Sequence, residues 1–186
     1  KVRTAQSGKE NTMNYKDKYN ELYKLLNTDS LTGVFSRHYI DENFEPVIIN
    51  SFKKGLSVNL ALFDIDCFKD INDTYGHIAG DRILKETAAL LKKLLVFSDN
   101  DYLARYGGDE FLLLSVDTPQ TAFKDRISNC IIALSLHEFH IDNNTITISA
   151  SAGCTYIENT DFISALTTAD KKLYAAKRAG RNRIEF

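Results

Sequence analysis

The stretch Arg105-Tyr106-Gly107-Gly108-Asp109-Glu110-Phe111 lies between two apolar runs. Two strand-like runs joined by Gly-Gly predict a tight β-hairpin with a type I′ turn, because both central residues of that turn need a positive φ. Glycine has no Cβ, so the backbone of Gly107 and Gly108 can also approach a ligand closely. Adjacent strand residues face opposite sides of a sheet, so we expect Asp109 and Glu110 to do different jobs. Taken alone, the hairpin equally suits an ordinary turn with a solvated acidic pair.

A second acidic segment follows another strand-like run. Residues 58–63 are almost continuously apolar, which is typical of a buried strand, and they lead into Asp64-Ile65-Asp66. If both strands are buried in one sheet, Asp64 is expected to lie near Asp109. Carboxylates at neighbouring strand ends provide the hard oxygen ligands that Mg²⁺ prefers. These residues therefore predict a magnesium site beside the hairpin.

Composition limits the class of protein. The chain has 186 residues, of which 44% are hydrophobic, and this suits one domain with a sizeable core and a short extension. Its net charge of −2 provides no basic surface for bulk nucleic-acid binding. No apolar run approaches the length of a membrane span, so we expect no membrane contact by this fragment, although a membrane-anchored parent protein remains compatible with it. Three scattered cysteines favour a reducing, cytoplasmic compartment, and the thiols of Cys67, Cys130 and Cys154 are expected to be buried and inert.

The chain divides at about residue 28. Residues 1–12 are polar and are expected to be disordered, and an apolar seam then follows at helical spacing: Tyr15, Tyr19, Leu22 and Leu26. The seam suits either a helix packed on its own domain or a signalling helix that pairs two chains. Residues 29–186 form the second unit, in which strands and helices follow one another in an order that fits an α+β fold. We expect several helices against one face of a mainly antiparallel sheet.

Five ordered blocks of sequence resemble the GGDEF domain, the catalytic domain of diguanylate cyclases. They are D-S-L-T-G at 29–33, F-D-I-D-C-F-K-D-I-N-D at 63–73, Y-G-H-I-A-G-D at 75–81, G-G-D-E-F at 107–111 and A-A-K-R-A-G-R-N-R at 175–183. The resemblance implies a ferredoxin-like palm related to nucleotide cyclases, with an N-terminal helical extension. It also implies that two GTP molecules are joined into cyclic di-GMP with loss of two pyrophosphates. A catalytically silent, GTP-binding regulatory domain and a structural dimerisation module are the alternatives.

The resemblance gives the acidic residues their roles. Catalysis would fall to Asp64, Asp109 and Glu110. The Mg²⁺ ligands would be Asp64, the Ile65 carbonyl, Asp109 and Glu110, and Mn²⁺ is expected to substitute for Mg²⁺. Asp66 is interpreted as a structural residue.

The resemblance also implies how GTP is bound. Asn72 and Asp81 match the residues that recognise guanine, whose N1–H and N2–H₂ groups an aspartate can accept. The phosphates would be bound by Lys69, by Phe68 through its backbone amide, and by Lys177 and Arg181. Gly107 and Gly108 would also belong to the substrate-binding residues. Because Lys177 and Arg181 are four residues apart at the end of a predicted helix, they are expected to share one helix face.

Three further expectations concern regulation and assembly. Many family members carry R-x-x-D before the hairpin as an inhibitory site for the product, but Ser98 and Asp101 occupy these positions here. Serine cannot replace the bidentate arginine fork, so the inhibitory site is degenerate and product inhibition through it should be weak or absent. One domain would hold one GTP, so catalysis is expected to require a homodimer. The parent protein is expected to carry an upstream sensory domain.

Overall fold

The computed structural model describes the backbone of residues 6–186 and the side chains from Asn14 onward. The helices are α1 (Gln6–Asn27), α2 (Arg37–Lys53), α3 (Phe68–Tyr75), α4 (His77–Leu95), α5 (Gln120–Leu136) and α6 (Phe162–Arg178). The strands are β1 (Val58–Ile65), β2 (Asp101–Arg105), β3 (Glu110–Val116), β4 (Glu138–Ile141), β5 (Asn144–Thr147), β6 (Ala150–Tyr156) and β7 (Ile184–Glu185). Helix α1 begins at Gln6, within the segment that the sequence predicts to be disordered or frayed, and residues 1–5 lie outside the described residues.

A five-stranded sheet in the order β2-β3-β1-β6-β7 forms the centre of the domain. All neighbouring strands are antiparallel except β6 and β7, which are parallel. All eight residues of β1 are buried, as its continuous apolar sequence predicts for a central strand. The structure therefore confirms the predicted α+β fold with a mainly antiparallel sheet.

Helices cover both faces of this sheet, so the expectation of a single covered face is wrong. Ala61 and Phe63 of β1 belong to a core shared with α4 and α5. Leu60 and Leu62 belong to a second core shared with α2 and α6. Because successive strand residues point to opposite faces, an all-apolar strand needs a cover on each side.

Helix α6 approaches the sheet closely at Gly153 of β6. A Cβ on Gly153 would collide with the backbone of Ala169 and of Leu173 in α6. The absence of a side chain at this position thus sets the distance between helix and sheet. It also fixes where the last turn of α6, which carries Lys177, lies relative to the end of β1.

The seam of α1 does not pack on the domain. Tyr15, Tyr19, Leu22 and Leu26 are between 50% and 72% exposed, which contradicts the first of the two alternatives for this helix. The end of α1 is nevertheless attached to the domain, because the Ser36 N–H donates to the Asn27 carbonyl. None of the helices in residues 6–186 is long and apolar enough to cross a membrane.

Candidate active site

The predicted hairpin is present, but its turn differs from the prediction. Strands β2 and β3 are paired up to Arg105 and Phe111, and four residues, 106–109, connect them. The Tyr106 N–H donates to the Glu110 carbonyl at 2.8 Å. Neither Gly107 nor Gly108 has a positive φ, so the expected type I′ turn is wrong. The longer connection needs no left-handed residue, so backbone conformation does not explain why glycine occupies positions 107 and 108.

Three carboxylates gather beside this turn. Asp64 of β1 lies opposite Glu110 of β3, so the two side chains share one face of the sheet. The Ile65 N–H donates to the Asp109 carbonyl at 3.3 Å, which holds Asp109 against the end of β1. Asp64 is 8% exposed. The structure thus brings together the acidic residues that the two sequence segments predict.

Burial, together with the neighbouring negative charges, disfavours the ionised forms of Asp64 and Glu110. Burial raises the pKa of the Asp64 carboxyl; the hydrogen bond from Lys177 lowers it in part, and the Asp109 charge raises it again. Burial also raises the pKa of Glu110, and the charges of Asp64 and Asp109 add to this effect. A cation beside Asp64 and Glu110 would be favourable, because a nearby positive charge stabilises the ionised form of a carboxylate.

Lys177 supplies one positive charge to the cluster. Its Nζ lies 2.6 Å from Asp64 Oδ2, and its side chain is one-third exposed. Lys177 is therefore a partner of the acidic cluster. Beside it lies a cavity of about 320 Å³ lined by Glu110, Asp170, Lys171, Leu173, Tyr174 and Lys177.

Arg181 does not share a helix face with Lys177. Helix α6 ends at Arg178, and Arg181 adopts a left-handed conformation with φ of 62°. The shared-face expectation is therefore wrong, because a turn with Gly180 at φ of 114° intervenes. After this turn, the Asn182 N–H donates to the Asp66 carboxylate at 3.0 Å.

Asp66 has a structural role, as the sequence analysis proposes. Its buried carboxylate accepts hydrogen bonds from the hydroxyls of Ser149 at 2.6 Å and Ser151 at 2.7 Å, in addition to the Asn182 amide. These bonds join the end of β1 to β6 and to the turn after α6. The hydrogen-bonding capacity of the Asp66 carboxylate is thereby used within the protein, although its charge also contributes to the raised pKa of Asp64.

The residues expected to recognise guanine meet at the junction of α3 and α4. Gly76, with φ of 83°, joins the two helices, and the Asn72 side chain lies directly against Gly80, where a Cβ would collide with it. Asp81 follows on the exposed surface of α4, and it does not cap the helix, since the N-cap residue is Gly76. Lys69 is exposed in the first turn of α3, whose first residue is Phe68.

Comparisons with known proteins agree with this geometry. The family model for the GGDEF domain of diguanylate cyclases matches residues 26–183. The chain belongs to the GGDEF family. It is 39% identical over 159 residues to the diguanylate cyclase DgcP of Pseudomonas aeruginosa, covering 85% of this chain and 23% of that protein. It is 32% identical over 167 residues to the diguanylate cyclase DosC of Escherichia coli, covering 85% and 34%.

Solved GGDEF domains have the same fold. The coiled coil and GGDEF domain of DgcB from Caulobacter crescentus, in complex with c-di-GMP, matches with a TM-score of 0.89 and 26% identity, covering 99% of this chain and 97% of that chain. Diguanylate cyclase SiaD of Pseudomonas aeruginosa, in complex with its activator SiaC, matches with a TM-score of 0.84 and 29% identity, covering 99% and 70%. The curated relatives are longer, and this GGDEF domain spans about a quarter to a third of their length.

The acidic cluster of this GGDEF domain offers carboxylate oxygens that could hold a metal ion together with ligands from outside the protein. Within residues 14–186, whose side chains are described, no three His, Cys, Asp or Glu residues are arranged to hold a metal ion. Mg²⁺ is usually held by one or two carboxylates together with phosphates and water, and not by an all-protein cage. Asp64 and Glu110 on neighbouring strands fit that requirement.

Asp101, which the sequence analysis assigns to a degenerate inhibitory site, is buried within the domain. Its Oδ1 accepts from Arg126 Nη2 at 2.9 Å and from the Ser115 hydroxyl at 2.6 Å. The side chains of Asp101 and Arg126 are only 2% and 11% exposed. Ser98 donates to the same carboxylate through its N–H at 3.3 Å. The sequence analysis missed Arg126, although an arginine at position 126 interrupts the otherwise apolar face of α5.

Proposed function

We propose that this GGDEF domain is a diguanylate cyclase, which condenses two GTP molecules into cyclic di-GMP and two pyrophosphates. The proposal rests on one observation: Asp64, Asp109 and Glu110 lie together at adjacent strand ends, and Lys177 contacts Asp64. Phosphoryl transfer depends mainly on alignment and charge stabilisation, and this cluster offers both. Relatives named as diguanylate cyclases at 32–39% identity support the same conclusion.

Guanine would bind at the junction of α3 and α4. The Asp81 carboxylate would accept from guanine N1–H and N2–H₂, and Asn72 would bind the same base from α3. Adenine lacks this pair of donors, and it would leave a carboxylate oxygen of Asp81 without a partner. Sites that hydrogen-bond a substrate reject an analogue without the matching groups, because the unpaired group is costly.

The phosphates would bind between the start of α3 and the end of α6. The amide of Phe68 at a helix N-terminus suits an anion, and Lys69, Lys177 and Arg181 would add positive charge. Gly108 has no heavy atom within 4 Å of the position of a Cβ, so a phosphate can approach the backbone there. The bound phosphates would share Lys177 with Asp64.

Mg²⁺, or Mn²⁺ in its place, would be held by Asp64, the Ile65 carbonyl, Asp109 and Glu110. When bound, the ion supplies charge neutralisation and a lower pKa for the attacking 3′-hydroxyl.

A homodimer would complete the reaction, because each domain would bind one GTP and present it to the other. The exposed seam of α1 offers the surface through which two chains would pair. We propose that the domain is cytoplasmic and follows a sensory domain in the sequence of the parent protein. A catalytically silent, GTP-binding regulator is the alternative, but the complete set of acidic and basic site residues favours catalysis.

Turnover tests both possibilities. The purified chain is incubated with GTP and Mg²⁺ over a hundredfold range of protein concentration, and the products are separated by chromatography. We expect cyclic di-GMP and pyrophosphate, at a rate that rises faster than linearly with protein. Bound GTP without product, with Mn²⁺ as well as Mg²⁺, would instead identify the silent regulator. An Asp109→Asn variant controls for a contaminating cyclase.

A further inference from the structure

Arg105 joins residues 106–109, which we call the catalytic turn, to the segment that follows α1. Its Nη2 donates to the Gly108 carbonyl at 2.6 Å and its Nε donates to the same oxygen at 3.1 Å. On its other side, Nη1 lies 3.3 Å from Asp29 Oδ1 and 3.4 Å from Oδ2. The two side chains are only 17% and 22% exposed, so water weakens this ion pair less than it would weaken one on the surface.

Asp29 is itself held firmly. Its Oδ1 accepts from the Thr32 N–H at 2.9 Å and from the Thr32 hydroxyl at 2.6 Å. Its own N–H donates to the Val34 carbonyl at 2.8 Å. Asp29 thus provides a fixed anchor for the guanidinium, and it lies only two residues after the end of α1.

The same segment is bonded to both α1 and β2. The Ser36 hydroxyl donates to the Leu26 carbonyl at 2.8 Å, and the Ser36 N–H donates to the Asn27 carbonyl at 2.9 Å. The Phe35 carbonyl accepts from the Arg105 N–H at 2.8 Å. A short series of hydrogen bonds therefore connects the last turn of α1 with Arg105, the residue that directly precedes the catalytic turn.

We propose that Arg105 is a positioning residue, and that the bridge Asp29–Arg105–Gly108 sets the orientation of Asp109 and Glu110. The inference rests on the proposed cyclase function. The Gly108 carbonyl belongs to the peptide group that leads into Asp109, so fixing this oxygen fixes the plane of that peptide. A guanidinium fork holds one orientation, which a single ammonium cannot do. Because Asp29 follows directly after α1, a shift of α1 would move Asp29 and Arg105, and would thereby change the orientation of the Asp109 and Glu110 carboxylates.

Two conservative variants test this role. Arg105→Lys keeps the charge and removes the fork, and Asp29→Asn keeps an oxygen for Thr32 and removes the charge. We expect kcat for cyclic di-GMP formation to fall by roughly tenfold to a hundredfold in both, because small misplacements of reacting groups are costly. KM for GTP and the thermal unfolding midpoint should stay close to those of the wild type.

The matched control is Asp142→Asn, which breaks the exposed ion pair with Arg82 at 3.0 Å and takes no part in the bridge. It should leave kcat unchanged. Unchanged kcat in Arg105→Lys and Asp29→Asn would overturn the proposal. So would a loss of kcat that merely follows a lower unfolding midpoint, since that would show a general structural role.

Amide hydrogen exchange provides a readout that needs no catalysis. We expect faster exchange at residues 107–110 in Arg105→Lys and Asp29→Asn, and wild-type exchange there in Asp142→Asn. If the wild type makes no cyclic di-GMP, the proposed function fails, and exchange alone decides whether the bridge orders the turn. Wild-type exchange at residues 107–110 in both bridge variants would then overturn it.

Discussion

Gly107 and Gly108 are adjacent, yet they have different surroundings. A Cβ on Gly107 would lie 2.7 Å from Glu110 Oε2, whereas a Cβ on Gly108 would have no heavy atom within 4 Å. Gly107 therefore leaves room for a protein carboxylate, and Gly108 leaves room for a ligand. Neither residue is required by its φ, so both glycines are explained by space and not by backbone conformation.

This difference separates two alanine variants. Gly107→Ala should fold, because the flexible end of Glu110 can move away, but the displaced carboxylate should lower kcat by roughly tenfold or more. Gly108→Ala should raise KM for GTP more than it lowers kcat. Steady-state kinetics of the two variants, with thermal unfolding as a check on folding, measures this. Identical kinetic defects would contradict the distinction.

Asp81 should determine the choice of base. In Asp81→Ala, the preference for GTP over ATP, measured as the ratio of kcat/KM values, should fall by at least about tenfold, because the acceptor for guanine is lost. Asp125→Ala, which removes an exposed carboxylate from α5, is the control and should keep the preference. Intact discrimination in Asp81→Ala would refute the assignment of Asp81.

Asp101 links stability to pH. Burial acts to raise its pKa, but hydrogen bonds from Arg126 and Ser115 outweigh burial and hold the pKa below its ordinary value. A lowered folded-state pKa stabilises the protein above the unfolded pKa of about 3.9, and this contribution is lost as pH falls through the folded-state pKa. Asp101→Asn should cost about 3–5 kcal/mol at pH 7, because Arg126 stays buried without a counterion.

Urea unfolding of the wild type and Asp101→Asn at several pH values checks this prediction. The difference in the free energy of unfolding should shrink as pH falls below about 4. A difference that is equal at pH 7 and at pH 3 would show that the charge of Asp101 is not responsible. The Asp142→Asn variant should differ little from wild type at either pH, since exposed ion pairs contribute about 0–1 kcal/mol.

Helix α6 carries Lys177 to the acidic cluster only because Gly153 lets it lie close to β6. Gly153→Ala should push the helix outward, since the added Cβ would meet backbone atoms that cannot rotate away. We expect a loss of about 1–3 kcal/mol in stability, as is usual for overpacking, together with lower cyclase activity. Denaturant unfolding and turnover of GTP measure the two effects.

Leu91→Ala is the control for α6. It removes a buried side chain from α4, on the opposite face of the sheet, and it should also lower stability. At a temperature where both variants are folded, Leu91→Ala should keep its activity and Gly153→Ala should not. Equal activity in the two variants would show that the position of α6 is unimportant.

Helix α1 carries an exposed apolar seam, formed by Tyr15, Tyr19, Leu22 and Leu26, that the rest of the chain does not cover. Leu22→Glu should place a charge within the seam and weaken the proposed homodimer, so that higher protein concentrations are needed for turnover. Leu136→Glu replaces a leucine at the end of α5 that is 76% exposed, compared with 57% for Leu22, and it should have no such effect. Sedimentation velocity and the concentration dependence of turnover give the result. Identical behaviour of the two variants would argue against pairing through α1.

The elements were easier to predict than their mutual arrangement. Apolar runs identified β1 and the hairpin, since burial of a strand is visible in its own residues. The turn type was wrong, because Gly-Gly permits a positive φ without requiring one. The bridge from Arg105 to Asp29 spans 76 positions and could not be found from local patterns. Arg126 offered a weak signal, a charge within an apolar helix face, but its partner Asp101 was visible only in the folded chain.

The molecule as a whole protects two of its three thiols. Cys67 is exposed, against the expectation that all three are buried, because it lies with φ of 56° between β1 and α3. Burial raises the pKa of Cys130 to about 12 and raises that of Cys154 as well, so neither forms the reactive thiolate at neutral pH.

Titration with a thiol-reactive dye tests this arrangement. The folded protein should react rapidly at one thiol, and the protein in urea should react at all three. A Cys67→Ser variant should lose the rapid phase completely. A rapid phase that survives this substitution would show that the core around Cys130 or Cys154 opens in the native state.

The hydrogen bond from Asn182 to Asp66 joins positions 116 residues apart. A ribosome delivers the acidic strands first and the turn after α6 last, so the residues of the proposed nucleotide site are synthesised at different times. The proposed site would therefore stay incomplete until residue 182 has left the ribosome.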